Sequence, residues 1–182
     1  MTGSAGTCLL NAASLERSGG MKTLVLGLGN PILSDDGVGP RVAGELEGRV
    51  ECNVTVMEAS LAGLNLLDLL VGYERVIIID AIQTGKGKPG RIYRLDIEAF
   101  KAARHAASTH DVNLATALEL GRRLGLDLPR RIDILAIEVA DTGRFSEECT
   151  PEVAKAIPAC VEMVIQELKG NGTARIGDAA FD

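Results

Sequence analysis

The chain has 182 residues, 46% hydrophobic and 24% charged, with a formal net charge of −6, the profile of one soluble globular domain long enough to bury a core. The acidic balance argues against a broad phosphate-binding face, and so against a nucleic-acid partner. Its one basic concentration, Arg122, Arg123, Arg130 and Arg131, reads as a solvated helix end and loop.

Residues 1–20 are rich in Ser, Gly and Ala, and their apolar patch Cys8-Leu9-Leu10 is too short for a signal core and lacks a basic lead-in. They are set aside as an upstream-start segment or a disordered arm. Residues 22–28 form an apolar run ending in Gly27-Leu28-Gly29, a buried parallel strand entering a tight turn. Val38, Val42 and Leu46 then recur at helical spacing, and residues 53–58 alternate as a second strand. Ser60 is placed to cap a helix reaching about Val71. The apolar stretch 61–72 is interrupted by Asp68 and is too short to span a bilayer, so no membrane association is expected.

Residues 75–80 are a third strand, whose β-branched run favours a central position. After a Gly/Lys/Pro turn at 83–90, residues 91–95 read as an edge strand and residues 98–106 as a short helix. Residues 112–125 place Leu114, Leu118, Gly121 and Leu124 on one helical face, and residues 132–139 supply the fifth strand. Thr150 N-caps a last helix with Pro151 at its first position, Val153, Ile157, Val161, Val164 and Leu168 along its stripe, and Gly170 as its stop. Cys160 falls on that stripe as a small core residue. The tail, 170–182, has no periodicity and is expected to be flexible. The alternation predicts a single α/β domain over 21–169, three-layer α/β/α with a mostly parallel five-stranded sheet.

Three potential metal ligands follow from that order. Asp36 lies in the loop leaving the first strand, Asp80 ends the third, and His110 precedes a helical pattern; open α/β sheets take ligands outside the carboxyl ends of their strands. Glu58, ending the second strand, is a further acid in the neighbourhood. Clustered carboxylates repel unless a cation intervenes, and two carboxylates with an imidazole suit nickel, zinc or another first-row metal. The plainer readings are local: Asp35 and Asp36 as helix caps, Asp80 as a turn residue, His110 as a cap or surface group. His105, inside a charged stretch, reads as solvent-exposed. The Gly27-x-Gly29 pair invites a nucleotide reading, but Ile32 stands where a third glycine belongs and Pro31 obstructs entry into a helix. There is no Gly-x-Ser-x-Gly elbow and no His-Glu-x-x-His. The four cysteines, Cys8, Cys52, Cys149 and Cys160, show no Cys-x-x-Cys spacing, which argues against a zinc knuckle; without an export signal, reduced thiols and a cytoplasmic setting are expected.

The stretch Gly27-Leu28-Gly29-Asn30-Pro31-Ile32-Leu33-Ser34-Asp35-Asp36-Gly37-Val38-Gly39, the strand end Ile79-Asp80-Ala81, the Pro89-Gly90 turn, Ser108-Thr109-His110 and Thr150-Pro151-Glu152-Val153 together resemble the endopeptidases that mature the large subunit of nickel–iron hydrogenases. The resemblance spans about residues 21–169. It implies a phosphorylase/hydrolase-like fold and removal of a C-terminal extension from the hydrogenase large-subunit precursor after nickel insertion, the nickel arriving with that substrate. It also implies that Asp36, Asp80 and His110 are the catalytic, metal-contacting residues. Two departures stand out: Glu58-Ala59-Ser60 where the family often has an Asp-Gly-Gly-like stretch, and Cys149-Thr150-Pro151 where Leu-Ser-Pro is commoner. Two rival readings share parts of the pattern. Peptidyl-tRNA hydrolases also open with a strand and Gly-Leu-Gly-Asn-Pro, and a non-enzymatic, metal-gated assembly chaperone would need the same metal site.

Overall fold

The computed structural model describes residues 21–60, 65–104 and 114–170. Five strands form one sheet: β1 (Thr23–Leu28), β2 (Val54–Ala59), β3 (Arg75–Ile82), β4 (Ile92–Leu95) and β5 (Arg131–Glu138). Their order is β2-β1-β3-β5-β4. β1, β2, β3 and β5 run parallel, while β4 pairs antiparallel with β5 at the edge. The expected mostly parallel, five-stranded α/β sheet is therefore the one observed, with 91–95 at its edge. β1 and β3 are buried along their whole length, as strands covered on both faces must be.

The two faces are divided by the period-2 alternation of each strand. On one, Val25, Ile77, Ile79, Leu135 and Ile137 pack against Val38, Val42 and Leu46 of α1 (Val38–Leu46) and the stripe Val153, Ile157, Cys160, Val161, Val164 of α5 (Pro151–Leu168). On the other, Leu24, Leu26, Val76, Ile78, Ile134 and Ala136 meet α2 (Leu66–Leu70), α3 (Ile97–Arg104) and α4 (Leu114–Arg123). Cys160 is buried as expected, and burial pushes its thiol up to about 12.

The Ser60 hydroxyl donates to the Gly29 carbonyl (3.0 Å); the start expected for the helix after it lies outside the described residues, within which α2 spans Leu66–Leu70. Two local expectations change. α4 stops at Arg123, which leaves Leu124 65% exposed instead of on the apolar face. β3 continues two residues past Asp80, pairing Ala81 with Ile137 and Ile82 with Glu138, so Asp80 is not its last residue. The readings of residues 1–20 and 171–182 fall outside the described residues, as does His105. Among the described residues, no helix is long and apolar enough to cross a membrane.

The amino ends of β3 and β5 are tied to α5 by ion pairs. Arg75 is 7% exposed and Glu167 5%. The Arg75 guanidinium donates to Asp133 (2.8 Å), to the Glu167 carboxylate (2.9 Å) and to the Glu167 carbonyl (3.0 Å). Arg94 of β4 reaches the other oxygen of Glu167 (2.8 Å), and Arg131 reaches Asp133 (2.7 Å). Charges buried this deeply are tolerable only when each is matched and hydrogen-bonded.

Candidate functional site

The strand order creates a switch point between β1 and β3: from β1 the chain proceeds to β2 on one side, and from β3 it proceeds to β4 and then β5 on the other. Ligand sites of open α/β sheets lie at the carboxyl ends of the strands flanking such a point. The loop leaving β1 becomes a 3-10 turn, Ser34–Gly37, that carries Asp36 and packs against β3. The approach is close because glycines allow it. A Cβ on Gly39 would collide with the carbonyls of Leu28 and Ile79, and one on Gly29 (φ +136°) with the Asp36 carbonyl. The Gly27-x-Gly29 pattern thus serves to seat turn and helix on the strands.

Asp80 is the sixth residue of β3, opposite Ala136 of β5. It shares the face of Val76, Ile78 and Ile82 and is 7% exposed; its Oδ1 accepts the Ala81 N–H (2.8 Å). Asp36 is half-buried at the rim. Its Oδ2 accepts the Asn30 N–H at 2.7 Å, while Oδ1 has no hydrogen-bond partner among the described residues. One oxygen fixed and the other open is the arrangement a monodentate metal-binding carboxylate requires.

His110 lies outside the described residues. The helix that follows it is placed, however. α4 finishes near the amino edge, where the Gly72 N–H donates to the Asp127 carbonyl (2.9 Å). Its ten residues therefore carry its start about 15 Å back toward the carboxyl edge, on the face that Asp80 shares. Among the described residues, no three of His, Cys, Asp and Glu stand close enough to hold a metal ion.

Glu58 does not join the two aspartates. It is in phase with Val54 and Val56, which pack toward α1, and its Oε1 lies 3.4 Å from where a Gly44 side chain of α1 would begin. Asp80 is on the opposite face. Sharing a strand-end height was not enough, because the sheet stands between them.

Two acids outside the expected ligand set are built into the same rim. Asp35, read as a cap of the helix following it, is fully buried. It does serve a helix start, but a distant one: Oδ1 accepts the Thr150 N–H (2.6 Å), and Oδ2 accepts the Thr150 hydroxyl (3.0 Å) and the N–H groups of Ala140 and Asp141 (3.2 and 3.1 Å). Thr150 occupies the N-cap of α5 without the expected side-chain cap, because its hydroxyl is committed to Asp35. Glu138 ends β5 at 2% exposure, on the face of Asp80. It accepts from the N–H and hydroxyl of Thr84 (2.8 to 3.0 Å) and from the Tyr93 hydroxyl, which pins the 83–90 turn. Burial first, then the charge of Glu138, pushes the Tyr93 phenol above its ordinary value of 10.0. The signal for Glu138 was present, since an acid closing an apolar run is the same cue that marked Asp80.

The loop from Asp141 to Thr150 completes the rim. N–H groups of Gly143 and Arg144 hold the Asp141 carboxyl below its usual value. The half-buried Cys149 accepts from Arg41 Nε (3.3 Å), and burial raises its thiol despite that cation.

A family model described as hydrogenase maturation protease matches residues 40–167. The chain is 30% identical over 159 residues to the hydrogenase 2 maturation protease of Escherichia coli (strain K12), covering 86% of this chain and 96% of that protein. It is 27% identical to the hydrogenase expression/formation protein HupD of Rhizobium leguminosarum bv. viciae, over 84% of this chain and 77% of that one. Among solved structures, the hydrogenase maturating endopeptidase HybD from E. coli superposes with a TM-score of 0.73 at 29% identity, over 84% of this chain and 94% of that chain. The [NiFe] hydrogenase maturation protease HybD from Thermococcus kodakarensis does so with 0.63 at 27%, over 81% and 99%.

Proposed function

Because the chain belongs to the hydrogenase maturation protease family, we propose that it removes the C-terminal extension of a nickel–iron hydrogenase large-subunit precursor after nickel has been inserted. Membership favours a peptidase over the two rival readings, and the net charge of −6 weighs further against a tRNA substrate. Nickel belongs to the precursor on this reading, so the enzyme needs a recess with open donors and no resident ion of its own. The observation that carries the assignment is the 3-10 turn of Asp36 lying against the strand of Asp80 at the switch point.

Asp36 offers its open Oδ1, Asp80 approaches from the β3 side, and His110 supplies the imidazole from the segment before α4. Together they recognise the precursor's nickel centre as a readiness signal. Three side-chain donors leave coordination positions for the substrate's own groups, and a metal so placed can polarise a scissile carbonyl or a water. The free thiols of Cys149 and Cys160 suit a reducing cytoplasm.

Incubation of nickel-loaded and nickel-free precursor with the enzyme, followed by mass spectrometry, tests the proposal. Only the loaded precursor should lose a C-terminal peptide, and Asp36→Ala or His110→Ala variants should leave it whole. Unchanged processing by both variants would defeat the assignment.

A further inference from the structure

We infer that Asp35 and Thr150 form a positioning pair that sets the Asp36 carboxylate from the far end of the chain; this rests on the reading that Asp36 engages the substrate. Asp35 is fully buried and receives four donors, all from residues 140–150 and none from its own turn. Its backbone is fastened too, the Asp35 N–H donating to the Asp141 carbonyl (3.1 Å).

The neighbouring residue is held against the same loop. The Ser34 N–H donates to the Ser146 carbonyl (2.8 Å), and Leu33 and Ser146 form a parallel bridge. Ser34 adopts φ +46°, a left-handed conformation that a non-glycine residue keeps only when its surroundings over-determine it. These contacts supply that constraint. Asp36 follows directly, so its backbone direction is dictated by the latch, and the Asn30 N–H then selects which oxygen faces the rim. The bonds to Asp35 are charge-assisted and shielded from water, the strong class of hydrogen bond. Asp35 touches no substrate on this account; it acts through Asp36.

The experiment compares Asp35→Asn, Thr150→Val and Thr150→Ser in steady-state cleavage of nickel-loaded precursor, with the Asn30 amide resonance followed by NMR. Misplacing a catalytic group by about 1 Å costs on the order of 100-fold. Asp35→Asn should therefore lower kcat about 100-fold and Thr150→Val about 10-fold, with KM changed less than about twofold. Thr150→Ser keeps the hydroxyl and should restore wild-type turnover. The Asn30 resonance should move in the Asn and Val variants and stay in place in the Ser variant, a response that general destabilisation would not sort by hydroxyl. Thr150→Val retains the backbone bond, so it carries the test should Asp35→Asn fail to fold. A folded Thr150→Val enzyme with wild-type kcat and an unmoved Asn30 amide overturns the inference, as does a Ser variant as slow as the Val variant. If Asp36→Ala itself cleaves normally, the reading of the site has failed instead.

Discussion

The two edges of the sheet handle buried acids in opposite ways. At the amino edge, Asp133 and Glu167 are matched by the guanidinium groups of Arg75, Arg94 and Arg131. At the carboxyl edge, Asp35, Asp36 and Glu138 are met by N–H and O–H groups. A guanidinium neutralises a carboxylate and removes it from further chemistry, whereas a dipole orients it and leaves its charge in place. The first edge ties its charges off, and the second keeps negative potential at the rim, as the proposed recognition of a nickel-loaded precursor would use.

Substitutions at each edge separate these roles. The largest effect is expected from Arg75→Met, which strands two buried carboxylates and should cost about 3–5 kcal/mol in urea unfolding; folded molecules should keep normal turnover, and a loss of turnover would blur the division between edges. Asp80→Asn should do the reverse. It lowers precursor cleavage at least about 100-fold, some 2.7 kcal/mol of transition-state stabilisation, with little change in the urea midpoint. Tyr93→Phe removes one hydroxyl from Glu138 and should cost about 1 kcal/mol.

That same contact gives a pH signature. The folded state holds the Tyr93 proton more tightly than the unfolded chain, so its contribution is whole below pH 10 and fades as pH rises through the higher folded-state value. Urea titrations at pH 8 and pH 11 should show wild type losing more stability than Tyr93→Phe. The smallest effect belongs to Phe145→Ser. This ring on the carboxyl-edge loop is 80% exposed, and its loss should shift stability by under about 0.5 kcal/mol.

What could be read without coordinates was local. The β-branched run ending at Asp80 announced a central strand, and Thr150-Pro151-Glu152 announced the start of α5, because both signals are written in adjacent residues. The face of Glu58 was also legible: it is in phase with Val54 and Val56, and counting by two would have set it toward α1. The latch was not legible, since the bonds of Asp35 span 105 to 115 residues and any acid beside Asp36 looks like a cap. The Arg75–Glu167 pair, 92 residues apart, was hidden for the same reason. Family resemblance supplied the proposed roles of Asp36 and His110; the order of elements supplied only the expectation that they lie near one sheet edge.

The Asp35 latch has a consequence for biosynthesis. An acid near the front of the polypeptide is fastened by residues 140–150, which leave the ribosome last among the parts of the rim. Chains emerge at about 5–20 residues per second, so for several seconds the first strand and its turn exist without the loop that aims them. On this account a nascent enzyme is in that interval incompetent to cut, and a chain truncated before Thr150, which also loses α5, should never become a peptidase.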